Sequence, residues 1–263
     1  MSNDTSTPQP AARAVGVIGL GAMGAGMAQS LRRAGHHVHV HDIRPEAAAA
    51  FAAEGGTACA TLADMAAACR IVVSVVVNAQ QTEAVLFGEG GIAPALQPGS
   101  VFIMCSTVDP NWSVALEARL QAQGVHYIDA PISGGAAKAA SGQMTMMTAA
   151  RPEAYAACEG VLDAMAAKVY RLGDSAGAGS KVKIINQLLA GDYTPLSAVD
   201  IFVKDLGLVL DTARHSKFPL PLASTAHQMF MQASTAGHGR EDDSAVIKIF
   251  PGITLPQAPS ESP

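Results

Sequence analysis

Short apolar runs alternate with amphipathic stretches through the first two thirds of the chain. Val15, Val17 and Ile18 form a brief strand-like run. Met27, Leu31 and Ala34 then recur at i, i+4 and i+7, which predicts a helix with one buried face, and Gly35 ends it. Residues 37–41 read as a second strand, and residues 46–54 as an Ala-rich helix starting near Pro45. Thr61 can cap a short helix that runs to Ala68. The β-branched run 71–77 has the continuous apolar character of a strand buried on both faces. A helix is predicted from Thr82, broken by Gly88, Gly90 and Gly91. Then come a strand over 101–105, a helix over 112–122 and strands over 125–128 and 144–148. Strands separated by helices predict parallel βαβ units, here one doubly wound sheet through about residue 173.

The pattern changes beyond Ala178. Val182, Ile185 and Leu189 have helical spacing, as do Ile201, Leu206, Val209 and Leu210, and then Leu222, Ala226, Met229 and Phe230. No strand pattern occurs between Lys181 and Gly237, so this half reads as all-α. The expected hinge is the stretch 173–179. The polar arm 1–13 and the tail 256–263 read as disordered.

Composition narrows the class. The 263 residues are 49% apolar and 15% charged, enough for a large core. A net charge of −5 with no basic block excludes a nucleic-acid binder. The run 71–77 is too short to cross a bilayer, and the arm lacks the basic start and apolar run of a signal peptide. Cys59, Cys69, Cys105 and Cys158 are scattered, as expected of reduced thiols in a cytoplasmic protein.

The first strand runs into Gly19, Gly21 and Gly24, the G-x-G-x-x-G spacing, and the second strand ends at Asp42. The first Gly permits a tight turn, the second a close approach of the backbone to a pyrophosphate, and the third close packing of helix on strand. The helix N-terminus offers unpaired N–H groups to phosphate. Asp42 can accept hydrogen bonds from an adenosine ribose and would repel a 2′-phosphate, which favours NAD over NADP. Arg44 partly offsets that repulsion. The expected fold is therefore α/β: an NAD-binding Rossmann domain over 14–174, then a smaller all-α domain over 175–255.

Two later segments could carry chemistry. The segment 129–135, Asp-Ala-Pro-Ile-Ser-Gly-Gly, follows a strand; the Ser133 hydroxyl and the N–H groups of Gly134 and Gly135 suit a carboxylate, though tight-turn geometry alone would also explain the glycines. Lys183 and Asn186 share one helical face, and a desolvated lysine can exchange a proton near neutral pH. A solvated surface lysine is the alternative. His37, His39 and His41 share one face of a strand but read as tolerated edge or packed histidines, with no metal implied. Trp112 and the methionines Met144, Met146, Met147, Met229 and Met231 read as core filler, and residues 241–243 as a solvated acidic loop or cap.

Five blocks in this order resemble the β-hydroxyacid dehydrogenase family, which includes 3-hydroxyisobutyrate dehydrogenase. They are the glycine loop at 19–24, Ser106-Thr107 before Pro110, the segment 129–135, Gly-x-Gly-x-x-x-Lys-x-x-Asn at 177–186, and Lys204-Asp205-Leu206. Ile-Ser-Gly-Gly-Ala-Ala-Lys at 132–138 and Gln-Met-Thr-Met-Met at 143–147 are most similar to the L-threonate dehydrogenase branch, which acts on four-carbon sugar acids. The resemblance implies Lys183 as general acid/base, Asn186 positioning substrate, and Ser133, Gly134 and Gly135 holding its carboxylate. It implies a cofactor site of Gly19, Leu20, Gly21, Ala22, Met23, Gly24, Asp42, Val77, Asn78, Thr107 and Lys204. The implied reaction is NAD-dependent oxidation of a small hydroxy acid by a homo-oligomer, without metal. The alternatives are a 3-hydroxyisobutyrate dehydrogenase or a tartronate semialdehyde reductase.

Two departures stand out. Val76-Val77-Asn78 lacks the proline that many relatives carry there. After Gly191, where relatives continue one long helix, the chain passes to Asp192-Tyr193-Thr194-Pro195, so several dozen residues are absent by resemblance. That shortening predicts weakened turnover with cofactor binding retained, and in the extreme an NAD binder without turnover.

Overall fold

The computed structural model describes residues 12–189, 198–241 and 243–252. Residues 1–11 of the expected arm over 1–13, the tail, and the helix end at Tyr193–Pro195 lie outside the described residues, whereas Arg13 departs from the expected disorder: its carbonyl accepts from the His37 N–H at 2.9 Å. The chain divides into two compact units, Met1–Lys183 and Ile184–Pro263.

The first unit is built on a six-stranded sheet of β1 (Ala14–Ile18), β2 (His37–His41), β3 (Thr57–Ala58), β4 (Ile71–Ser74), β5 (Val101–Met104) and β6 (His126–Asp129). The strand order is β3-β2-β1-β4-β5-β6 and every pairing is parallel. The connecting helices are α1 (Gly24–Arg33), α2 (Pro45–Ala53), α3 (Leu62–Ala68), α4 (Ala79–Phe87) and α5 (Pro110–Gln121). Every residue of β4 and β5 is buried, which is why both read as unbroken apolar runs. On one face Met27 and Leu31 of α1 are fully buried among Val15, Val17, Val38 and Val40; each such side chain contributes about 1.5–3 kcal/mol. Thr61 and Asp64 form the reciprocal capping box of α3.

Two expectations shift. The helix expected from Thr82 begins at Ala79, because Asn78 Oδ1 accepts from the Gln81 N–H at 2.9 Å and acts as its cap. The doubly wound sheet ends at Asp129 rather than near residue 173. A separate three-stranded sheet follows: β7 (Ile132–Ser133) pairs antiparallel with β8 (Met144–Thr148), which pairs parallel with β9 (Ala166–Arg171). Between these strands lie α6 (Gly135–Ser141), α7 (Pro152–Ala157) and α8 (Val161–Met165). Met144, Met146 and Met147 are buried core residues, as expected. Helix α1 crosses α6 closely: a Cβ on Gly26 would lie 2.6 Å from the Ala140 nitrogen, and Ser30 Oγ donates to the Ala139 carbonyl at 2.8 Å.

Helix α9 (Ala178–Leu189) begins in the first unit. The expected hinge at 173–179 is fastened instead. The Ala176 N–H donates to Glu117 Oε2 at 3.2 Å and the Gly177 N–H to Asp129 Oδ2 at 2.8 Å.

The second unit contains α10 (Val199–His215) and α11 (Pro221–Ala233), matching the helical spacing of the sequence. Phe202 and Phe230 stack with centroids 4.9 Å apart. Among the described residues its core cluster holds buried Val199, Ala233 and Ala245, with Val203, Phe230, Val246 and Ile249 packed around them. Leu208, Val209, Phe218 and Leu222 are exposed. Met231 is also exposed and so is not core filler. Glu241 is not simply solvated, because it pairs with His238 Nδ1 at 2.8 Å and with Lys248 Nζ; Asp242 lies outside the described residues.

Candidate active site

The carboxyl ends of the parallel strands gather most of the residues singled out by sequence. The glycine loop follows β1, Asp42 follows β2, Val77 and Asn78 follow β4, Thr107 follows β5, and Ser133–Gly135 lie just beyond β6. The order reverses between β1 and β4, the switch point where open α/β sheets bind ligands.

Each loop glycine meets a different constraint. Gly19 has φ +89°, and a Cβ there would sit 2.6 Å from the Val75 carbonyl oxygen. A Cβ on Gly24 would fall 1.8 Å from the Gly19 carbonyl oxygen. Gly21 is exposed and a Cβ would meet nothing within 4 Å. The protein's own packing therefore requires glycine at 19 and 24 but not at 21. The Gly19 N–H donates to the His41 carbonyl at 2.9 Å. The Leu20 N–H donates to Asp42 Oδ2 at 2.6 Å. Among the described residues the N–H groups of Gly21, Ala22 and Met23 have no acceptor. An open Gly21 beside three free donors fits the pyrophosphate of a dinucleotide.

Asp42 is more constrained than its sequence position suggests. Oδ1 accepts from the Arg44 N–H at 2.9 Å and from Arg44 Nε at 3.1 Å. Burial alone would raise its pKa, but the Arg44 and Leu20 hydrogen bonds outweigh that and hold it below the usual carboxylate range. The carboxylate thus braces the glycine loop, and Arg44 joins it by donating to the Leu20 carbonyl at 3.4 Å.

The neighbouring loops are also tied together. Asn78 spends its side-chain oxygen on the α4 cap, and the Val77 N–H donates to Gln81 Oε1 at 2.8 Å. Val77 is 77% exposed, so its side chain is free to face a ligand. Thr107 is exposed, whereas its neighbour Ser106 is buried and donates to the Val76 carbonyl at 2.7 Å, joining the exits of β4 and β5. Ser133 is half-buried, and Gly134 and Gly135 are exposed with φ of +138° and +72°. A Cβ on Gly135 would meet nothing within 4 Å, so the backbone there is open to approach.

Lys183 is half-buried on α9, and burial lowers its pKa below the ordinary 10.5. Asn186 lies on the same helix, one turn further; its side chain lies outside the described residues. Lys204 lies on α10 in the second unit, 67% exposed, with Nζ 3.1 Å from Asp205 Oδ1. The cysteines carry no nucleophile: burial pushes Cys69, Cys105 and Cys158 up to about 12. His41 Nδ1 lies 3.1 Å from the Cys59 carbonyl, a tie within the sheet.

Asp129, Glu117 and Ser180 had no role assigned from sequence. Asp129 is fully buried at the end of β6; Oδ2 accepts from the Gly177 and Ser180 N–H groups at 2.8 and 3.0 Å, and Oδ1 from Ser180 Oγ at 2.7 Å. The available signal was an acidic residue ending an apolar strand.

Residues 14–173 match the NAD-binding domain of 6-phosphogluconate dehydrogenase, and residues 133–250 match the NAD-binding region of NADP-dependent 3-hydroxyisobutyrate dehydrogenase. The chain is 57% identical to an L-threonate dehydrogenase of Cupriavidus necator over 291 positions, spanning 93% of this chain and 98% of that protein. It is 45% identical to one of Pectobacterium atrosepticum, over 93% and 96%. The first alignment is longer than the 263 residues here, so that relative carries residues this chain lacks. A solved structure of a 3-hydroxyisobutyrate dehydrogenase from Salmonella typhimurium superposes with a TM-score of 0.67 at 44% identity, covering 90% of this chain and all of that one.

Proposed function

Because the chain belongs to the β-hydroxyacid dehydrogenases, with 3-hydroxyisobutyrate dehydrogenase among them, we propose that it oxidises L-threonate with NAD, Lys183 acting as general acid/base. The family makes it an NAD-dependent hydroxyacid dehydrogenase; the four-carbon substrate, the preference for NAD over NADP and the residue roles are this proposal. Its main support is the half-buried Lys183, whose lowered proton affinity suits a group that must accept a proton.

Bound at the carboxyl ends of the strands, the nicotinamide ring supplies a hydride acceptor. The N–H groups of Gly21, Ala22 and Met23 would hold the pyrophosphate, and Asp42 would meet the adenosine ribose. Val77, Asn78 and Thr107 would flank the cofactor. Ser133, Gly134 and Gly135 hold the substrate carboxylate, and Asn186 positions the hydroxyl. Lys183 Nζ takes the hydroxyl proton as the carbon–hydrogen bond breaks, and returns it in the reverse direction. Lysine and the oriented dipoles stabilise the developing oxyanion, so no metal is required.

The residues this chain lacks favour a second reading, in which it binds NAD and turns over weakly. Thermal shift with NAD, then with NAD plus L-threonate, separates the two, followed by absorbance of NADH. A further shift with threonate and a rising NADH signal support the enzyme. Stabilisation by NAD alone supports the weak form, and no response to NAD overturns both. Exposed Leu208, Val209 and Phe218 support self-association, which light scattering checks.

A further inference from the structure

We propose that Asp129 is a positioning residue for Lys183: its buried carboxylate ties the first turn of α9 to the end of β6 and so fixes where that lysine stands. This rests on the reading of Lys183 as general acid/base.

A carboxylate with no exposed surface needs every lone pair answered. Among the described residues no cation pairs with Asp129. Three donors from the start of α9 do so, two backbone N–H groups and the Ser180 hydroxyl. These N–H groups are orphans of the helix N-terminus, where the positive end of the macrodipole favours a negative charge. Asp129 therefore does from 48 residues away what an N-cap side chain does locally.

The contact is steric as well as electrostatic. A Cβ on Gly179 would lie 2.4 Å from the Met147 carbonyl oxygen and 2.9 Å from that of Asp129. Backbone oxygens cannot retreat, so α9 sits against β6 and β8 only with glycine at 179. Lys183 follows Ser180 by three residues on the same helix, about one turn, and moves with it. Asp129 also opens the segment whose Ser133, Gly134 and Gly135 are proposed to hold the substrate. One carboxylate thus fixes the lysine relative to the substrate loop.

The test uses Asp129→Asn, Ser180→Ala and Gly179→Ala in the full chain, with Lys183→Ala as reference. Misplacing a catalytic group by about 1 Å can cost about a hundredfold in rate. Asp129→Asn and Gly179→Ala are expected to lower kcat by about that factor, and the milder Ser180→Ala by about tenfold, with the Kd for NAD within twofold of the parent. Hydrogen exchange of the α9 amides and labelling of Lys183 by an amine-reactive reagent, read by peptide mass spectrometry, should both rise in the three variants, without any need for turnover. If Ser180→Ala, which leaves both backbone donors to Asp129 in place, leaves exchange and labelling unchanged, the positioning role is wrong. Losses confined to thermal stability, with kcat intact, also overturn it. Turnover surviving in Lys183→Ala would instead overturn the reading of the lysine, and α9 exchange would still report on the tether.

Discussion

Alanine at Gly21 and alanine at Gly24 should separate cofactor binding from folding within one loop. A Gly21 Cβ meets nothing within 4 Å, and Gly21 is not among the positive-φ glycines. Gly21→Ala at such a site removes freedom from the unfolded chain and stabilises by about 0.4–1 kcal/mol. The methyl group nevertheless projects where a pyrophosphate must approach the backbone. Overpacking costs about 1–3 kcal/mol, which weakens NAD binding by about 5- to 150-fold. Gly24→Ala behaves oppositely. Its Cβ would fall 1.8 Å from the Gly19 carbonyl oxygen and 3.3 Å from Val75 Cβ, so α1 must move off the loop. A loss of about 1–3 kcal/mol lowers Tm by about 2–4 °C for each kcal/mol. The assay is calorimetric NAD titration beside thermal unfolding of each variant. Gly21→Ala binding NAD as tightly as the parent would refute the pyrophosphate platform. An unchanged Tm in Gly24→Ala would refute the packing argument.

Lys183→Ala should reduce turnover by about 10²–10⁴-fold while NAD binding stays within twofold, measured by NADH absorbance and titration; equal turnover would end the assignment. The oxidation rate should rise with pH as Lys183 loses its proton, with an inflection below 10.5, and a flat profile would count against it. Burial depresses the native value, so between it and 10.5 the unfolded chain binds more protons and stability rises with pH. Lys183→Met should therefore raise Tm at pH 7, with the gain shrinking as pH approaches 10.5; a gain independent of pH would point to packing alone. Asp42→Asn should lower the preference for NAD over NADP, whereas Arg44→Ala should increase it, both read from the ratio of Kd values. Unchanged ratios would place the selectivity elsewhere.

The local rules were legible wherever one element decided the outcome. Buried β4 and β5 announced themselves as unbroken apolar runs, and the glycine loop carried its geometry in its spacing. What stayed illegible depends on partners far along the chain. Strand β9 reads Ala-Ala-Lys-Val-Tyr-Arg and is largely exposed, so neither apolar run nor clean alternation marks it. The α4 start was missed by three residues because its cap, Asn78, sits in what reads as loop. The stretch 173–179 looked free because its glycines are local, whereas Glu117 and Asp129, which hold it, lie in distant elements. Asp42 was legible as an acidic residue at the right place, but its brace to Leu20 and Arg44 was not.

These tethers bear on where binding and turnover part. The glycine loop, Asp42, Val77, Asn78, Thr107, Ser133 to Gly135 and Lys183 all fall within Met1–Lys183. The dinucleotide cradle is thus assembled by one sheet and its own loops, with Gly19 and Gly24 packed on their neighbours and Asp42 latched to Leu20. Among the described residues, each of these ties lies within Met1–Lys183. Proton transfer asks for more, because Lys183 must be held dry as well as in place, and its lowered proton affinity comes from burial alone. Asp129 secures the place. Added hydration would raise the lysine's proton affinity and leave less free base at neutral pH, so turnover is the step most exposed to the loss of the residues this chain lacks. NAD binding near the parent family's level together with a rate–pH inflection close to an ordinary lysine would be the signature of that split.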